Sequence, residues 1–454
     1  MKTLLRATLT LGAVLALGAP AVAQDVPAAA PEANPAPAPA ENVITSGRPI
    51  TIQHVRPQDQ RGINMFETSK DPGVEYKGFR VDFGAAFAAQ FQGLRHNNAA
   101  APNVVNGVNA NQLIEIGNGF NNSTANLYLH AQLADGIRVQ LSSYLSSRHH
   151  NETWVKDGFI QMDKSPLPIP VLENMMKYVT LKVGHYEINY GDAHFRRTDN
   201  GNAMYNPFVG NLIMDAFTTE VGGEAILRHK SIIGVVGVTG GEVRGSVINP
   251  KQRSASYIGK LGFDRQVRSD LRVRMTGSIY KTNNSASNTL YGGDRAGSRY
   301  YYVVENTAAT EAAQFTSGHI NPGFRNKVTA LQFNPFVKFG GLEVFGVIER
   351  AEGKATTEAA TRNIHQYALD TIYRVGPNEE LFIAARYNTV EGQLAGITGD
   401  AGANRWQFGA GMFLTPMIMG KLEYVKQEFT GYPANHLRHG GKFNGFVVEG
   451  VVGF

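Results

Sequence analysis

From Lys77 onward the chain alternates apolar and polar positions. Phe79, Val81, Phe83, Ala85, Phe87, Ala89 and Phe91 fall on one face, and Arg80, Asp82, Gly84, Ala86, Ala88, Gln90 and Gln92 on the other. A strand places successive side chains on opposite faces, and no helical period competes here. A second strand sets Ala125, Leu127, Leu129, Ala131 and Leu133 against Asn126, Tyr128, His130 and Gln132. After Ala134-Asp135-Gly136, a tight turn of the Asp-Gly kind, a third sets Ile137, Val139, Leu141 and Leu145 against Arg138, Gln140, Ser142, Tyr144 and Arg148. The same pattern predicts strands at 153–163, 177–187, 218–228, 231–239, 254–263, 271–281, 327–338, 342–351, 362–374, 380–390, 404–415, 417–429 and 442–454. That makes about sixteen, an even number as outer-membrane barrels require. The run Tyr300–Val304 reads as a further strand or as part of a loop.

The connections alternate between short and long. Short ones fall at Asp135-Gly136, His229-Lys230, Gly340-Gly341, 376–379 and around Pro416; long ones at 94–123, 188–217, 241–253, 283–326 and 391–403. Short turns belong to the periplasmic side of such a barrel and long loops to the exterior. The exception is 164–175, a Pro-rich periplasmic segment that predicts a short helix before Met176. The final strand presents Phe446, Val448, Gly450, Val452 and Phe454 on one face. An apolar strand ending on a terminal Phe resembles the signal by which the barrel-assembly machinery recognises its clients. The alternative is a buried terminal strand of a soluble sandwich. The predicted fold is therefore all-β, a transmembrane antiparallel barrel with Lys442–Phe454 closing on Lys77–Gly93. Tyr144, Tyr178, Tyr257, Tyr280, Tyr387, Trp406 and Tyr424 sit near strand ends, where interfacial girdles form.

The segment before the alternation sharpens the location. Residues 1–23 read as a secretory leader: Lys2 and Arg6 precede the apolar run Leu9–Leu17 and the small cleavage site Ala21-Val22-Ala23. Residues 24–41 form a Pro/Ala-rich tether that cannot build a core. Residues 42–75 have no clear period and read as a periplasmic segment or as one tucked into the barrel mouth, ahead of a barrel over 76–454. Beyond the leader no run of about 18 apolar residues predicts a membrane helix. Together these features predict the bacterial outer membrane, with its lipid as a partner. Fifty Gly fit many turns, and the absence of Cys excludes disulfides and Cys-based sites. The formal charge of +5 falls to +3 when Lys2 and Arg6 leave with the leader, too mild to argue for nucleic acid.

With the apolar face outward, the other face lines a lumen. Its cations are Arg80, Arg138, Arg148, Lys182, Arg228, Lys260, Arg272, Arg274, Arg386 and Arg405; its acids are Asp82, Glu220, Glu224 and Glu449. Rings of Arg or Lys favour anions; the alternative is that these charges pair with one another or with loops. The long connection 188–217 carries Asp192, His194, Arg196, Arg197 and Asp199, which are expected at a constriction if the loop folds inward, or at a capped mouth if it does not. The Asp/Asn-rich part of that loop carries no calcium-loop motif, and His149-His150 face opposite ways on a strand, so no metal or other cofactor is expected.

Val179–Gly191 (VTLKVGHYEINYG) resembles the strand-and-loop segment of the phosphate-selective porin O/P family, with His185 interrupting the pattern; Gly341–Gly346, Glu380–Asn388 and Lys421–Gln427 resemble later strands of it. The resemblance implies a sixteen-stranded, trimeric porin, a water-filled channel for small hydrophilic solutes, general or anion-selective. The chain lacks the dense Arg/Lys ladder that phosphate specificity needs. Two other classes stay open. A barrel protease or lipase would use rim residues such as Asp192 with His194, or His149, His150, His436 and His439, but no nucleophile motif accompanies them, and no enzyme activity is expected. A closed barrel would act as a specific transporter or adhesin.

Overall fold

The computed structural model describes residues 50–121, 123–145, 153–240, 253–292, 299–311 and 316–454. The leader, the tether, Arg148, His149 and His150 lie outside the described residues. Sixteen strands form the barrel: β1 (Arg80–Asn97), β2 (Thr124–Ala134), β3 (Ile137–Leu145), β4 (Thr153–Met162), β5 (Val179–Glu187), β6 (Thr219–His229), β7 (Ile232–Thr239), β8 (Ser256–Arg268), β9 (Leu271–Thr282), β10 (Lys327–Phe339), β11 (Leu342–Lys354), β12 (Arg362–Val375), β13 (Leu381–Gln393), β14 (Asp400–Thr415), β15 (Ile418–Thr430) and β16 (Lys442–Gly453). Each pairs antiparallel with the next, and β16 pairs with β1 from Gly453 opposite Ala86 to Lys442 opposite Asn97. One helix, α1 (Pro170–Met176), follows β4 with Pro170 at its first turn, where the missing amide hydrogen costs nothing. Tyr300–Val304 is a turn inside the barrel rather than a strand.

Alternation decides which face is which. Phe83, Phe87 and Phe91 of β1 are exposed while Ala86, Ala88, Gln90 and Gln92 are buried. On β16, Phe446 and Val448 point outward and Val447, Glu449 and Val451 inward, and Phe454 just past its end is exposed. Val236 at 67% and Leu261 at 69% exposure show how apolar the exterior is. Water would penalise such a surface, whereas the hydrocarbon core of a bilayer matches it. The chain is thus a transmembrane barrel, and among the described residues no helix is long and apolar enough to cross a membrane. Tyr178, Tyr257 and Trp406 are exposed as a girdle requires, but Tyr144 and Tyr280 are buried. They fall on the inward parity of their strands, so interior partners claim them: Tyr144 donates to Asp199 and Tyr280 to Glu220 at 2.7 Å.

The seam extends past the last strand. Phe454 N donates to Ala85 O and Ala85 N donates to Phe454 O, both at 2.9 Å. Gly84 sits beside this pair, where a Cβ would lie 2.7 Å from Phe454 O, so a side chain there would displace the terminus. Gly136, with φ +70°, makes the predicted turn between β2 and β3.

Deleting Phe454 removes both hydrogen bonds and an outward apolar ring at the seam. The yield of folded barrel, read as heat-modifiable migration in electrophoresis, is expected to fall in that variant and in Phe454→Asp. An unchanged yield in both would contradict the closing role of this residue.

Candidate functional site

The interior is packed by three insertions. Residues 50–76 cross the periplasmic mouth. Gln53 binds the β2–β3 turn, accepting from Gly136 N at 2.7 Å and donating to Asp135 Oδ1 at 3.0 Å. Gln60 N donates to Pro416 O at 2.9 Å, and its side chain to Asn378 O at 2.8 Å, reaching the β14–β15 and β12–β13 turns. Lys70 Nζ donates to Asp163 O at 2.7 Å and Val179 O at 2.9 Å. The segment therefore holds turns around the barrel's rim.

The connection 188–218 folds inward and crosses the lumen. At one wall, Asp192 accepts from Arg274 Nε and Nη2 at 2.8 Å, Thr276 Oγ1 at 2.8 Å and Lys260 Nζ at 3.0 Å. At the far wall, Lys421 Nζ donates to Ala203 O, Asn206 O and Phe208 O, and Val209 N donates to Glu423 Oε2 at 2.8 Å. Arg405 donates to Asn211 O at 2.5 Å, and Ile213 N to Asn388 Oδ1 at 2.7 Å. Wall side chains thus satisfy the loop backbone that would otherwise be buried without partners. The third insertion, of which 283–292, 299–311 and 316–326 are described, enters from the outer end. Tyr301 exchanges hydrogen bonds with Gln92 of β1 at 2.9 Å, and Tyr300 donates to Glu423 at 2.6 Å. Val209, Ile213, Tyr300, Val303 and Val304 of the two loops pack with Val328, Ile364, Val390, Val425 and Val447 of the wall into one apolar cluster.

The predicted lining residues are distributed accordingly. Arg80 lies at the exposed end of β1. Arg386 forks onto Asp370 at 2.6 and 2.7 Å, Arg272 onto Asp264 at 2.9 and 2.8 Å, and Lys182 faces Glu224 at 3.6 Å. Arg274 and Lys260 share Asp192 with Glu67 of the N-terminal segment, at 2.8 and 3.4 Å from Glu67. Arg228 donates to Glu67 O. Burial would raise the Glu67 and Asp192 carboxyls, but the adjoining Arg274 and Lys260 charges outweigh it and hold both below the ordinary range. Arg405 reaches Gln427 at 2.6 Å as well as loop carbonyls. The acids Glu343, Glu349, Asp370 and Glu423 also face inward and were absent from the predicted lining. Their parity could have found them: Glu343 lies between outward Leu342 and partly buried Val344, and Glu423 follows outward Leu422.

A polar cavity of about 190 Å³ remains beside β2–β6. Arg56, Arg138, Lys156, Lys182 and Arg197 line it, with Glu67, Asp157, Glu187, Asp199 and Glu224. Each acid has a cation within ion-pair distance: Glu67 has Arg274, Glu224 has Lys182, and Lys156 serves Asp157, Glu187 and Asp199. Among the described residues Arg56 and Arg138 have no such carboxylate. Arg56 donates to Gly62 O and Phe195 O at 2.9 Å and lies 3.7 Å from the Tyr205 ring centre; Arg138 donates to Gln161 Oε1 at 2.7 Å and Gln140 Oε1 at 3.2 Å.

Of the expected constriction residues, His194, Arg197 and Asp199 line this cavity. Asp192 and Arg196 lie behind it as braces, Arg196 donating to Glu343 at 3.2 Å and to Asn64. The Asp192 carboxylate is occupied by Arg274, Lys260 and Thr276, and Asp199 by Tyr144 and Lys156, so neither presents the open oxygen set that calcium needs. His194 faces Glu187 at 2.6 Å and Asn189 at 3.2 Å, which are acceptors rather than a hydroxyl nucleophile. His436 and His439 pack against Tyr432 in the last outer loop.

No family model matches the chain, and no curated protein matches it. Solved structures do. An anion-selective porin from Comamonas acidovorans is 12% identical, covering 83% of this chain and 100% of its own, with a TM-score of 0.50. OmpT of Vibrio cholerae in its trimer form is 12% identical, covering 83% and 100%, with a TM-score of 0.49. OpdL of Pseudomonas aeruginosa is 9% identical, covering 82% and 98%, with a TM-score of 0.42. At such identity the likeness is one of fold. Together with the closed barrel and its apolar exterior, that fold makes this chain a protein of the bacterial outer membrane.

Proposed function

We propose that the protein is a narrow outer-membrane porin that passes small hydrophilic solutes and prefers anions. One observation carries the reading: in the polar cavity every acid is paired, while Arg56 and Arg138 are left without a carboxylate. The five cations and five acids of the lining balance overall, so the preference rests on where these two guanidiniums stand: a low-dielectric wall focuses the field of a cation that has no carboxylate at ion-pair distance, and cationic linings favour anions. The insertions support a restricted bore, since they leave one flank of the lumen polar and pack the rest. Catalysis has no part in this reading.

A second reading, a closed barrel that opens to a specific substrate, is favoured by residues 50–76. Their hydrogen bonds to the periplasmic turns would have to break before that mouth opened. The oligomer implied by the porin O/P resemblance is a homotrimer, and light scattering in detergent that gave a monomer mass would reject it.

In planar bilayers under a KCl gradient, the reversal potential is expected to lie toward that of chloride; one toward potassium would reject the anion preference. Arg197→Ala, at the cavity, should change single-channel conductance. The same substitution at Arg196, behind it, should act mainly by loosening Asn64. Glu67→Gln leaves Arg274 and Lys260 with less compensation; losing one partner of a buried pair costs about 3–5 kcal/mol. Trypsin cleavage at Arg61 or Lys70 is expected to rise in that variant. If conductance rises with it, residues 50–76 gate the channel; if cleavage rises and conductance does not, they lie beside the path.

A further inference from the structure

Arg138 is buried to 4% exposure, and its Nε has no hydrogen-bond partner. Its other nitrogens hold two glutamines, Gln161 and Gln140, which are neutral. The carboxylates of Asp163 and Asp157 act on it from beyond ion-pair distance, and a buried guanidinium with no directly paired counter-charge is costly. Its planar fork matches a carboxylate. Lys182 stands in the same row of the wall, since Arg138 pairs with Gln161 and Gln161 with Lys182 across β3, β4 and β5. Both cations flank the ring of Phe159, at 5.6 and 4.5 Å from its centre. Phe66 and Phe195 add apolar surface to the same cavity. Its volume of about 190 Å³ exceeds the roughly 150 Å³ of an engineered cavity that holds benzene.

We propose that this cavity is a binding site for a single-ring aromatic carboxylate. The carboxylate accepts from Arg138, with the Lys182 ammonium as the second positive group, and the ring packs among Phe159, Phe66 and Phe195. Glu224 sets the limit on charge: at 3.6 Å from Lys182 it neutralises part of that cation, so a monoanion fits better than a dianion. The ring contacts distinguish this solute from a simple inorganic anion, which would gain nothing from the aromatic lining. The site deepens the porin reading and rests on it for its role in transport, although binding itself does not require conduction.

The test uses the full-length barrel with benzoate as the probe, acetate as the ringless control and inorganic phosphate as the inorganic one. Two readouts run in parallel: the thermal midpoint of the folded barrel in detergent, and block of the KCl current in planar bilayers. Benzoate is expected to raise the midpoint and block the current at lower concentration than acetate or phosphate. In Arg138→Gln its apparent affinity should drop at least about tenfold, the loss expected for one hydrogen bond to a charged group. Arg138→Lys, which keeps the charge without the fork, should fall between the two, and it serves as the test if the Gln variant does not fold. Equal effects of benzoate and acetate would overturn the aromatic assignment, and tighter phosphate binding would overturn the carboxylate class. Unchanged benzoate binding in both variants would remove Arg138 from the site. A conducting barrel that benzoate neither stabilises nor blocks would sink the site and leave the channel standing. A barrel that benzoate stabilises but that carries no current would do the reverse.

Discussion

Hydrocarbon offers no hydrogen bonds, so every backbone N–H and C=O of a spanning sheet must be satisfied by another strand. The structure depends on that constraint at one place above all, the seam of β1 and β16. Without it the outermost strands would present rows of unpaired groups to lipid. The pairing runs from Lys442 opposite Asn97 to Gly453 opposite Ala86, and Phe454 extends it by two further hydrogen bonds with Ala85. Closure then fixes the parity of every strand: one face must meet lipid, so the other must meet whatever fills the inside.

The interior meets a second version of the same demand. Inward charges cannot remain alone once water is displaced. Arg274 and Lys260 on β9 and β8 meet Asp192 from one insertion and Glu67 from another. Lys421 on β15 pairs with Glu449 of β16 at 2.7 Å, and both it and Glu423 also meet loop backbone. The wall is therefore a set of anchors, and each insertion supplies the charge or dipole that the wall lacks. Such pairs are weak evidence for stability, because desolvation offsets their attraction. They specify where each loop lies: a shifted loop would leave several charges uncompensated at once.

These anchors divide the lumen. Toward the outer end two loops and the wall bury Tyr300, Val303, Val304 and Ile213 in an apolar cluster. Beside β2–β6 the lining is polar, with all acids engaged and two guanidiniums held by neutral acceptors. Chemistry that could distinguish one solute from another is thus concentrated, among the described residues, on the flank beside β2–β6.

The barrel was legible from the chain itself. Period-two alternation along Phe79–Phe91 and Phe446–Phe454, with short and long connections in turn, determined strand positions, their number and the outward face, because lipid imposes the same local rule on every strand. Inward parity likewise identified Arg138, Lys260, Arg274 and Arg405. What those residues face was decided only by the tertiary structure. Asp192 lies 68 positions from Lys260 and 82 from Arg274, and Glu67 lies 207 from Arg274. No local pattern encodes such pairs. The aperiodic stretch 50–76 could not show its place either, since its contacts are to turns scattered around the rim. Whether the lumen is a wide pore or a packed interior holding a polar cavity follows from how three irregular segments fill it, and irregular segments have no period to read.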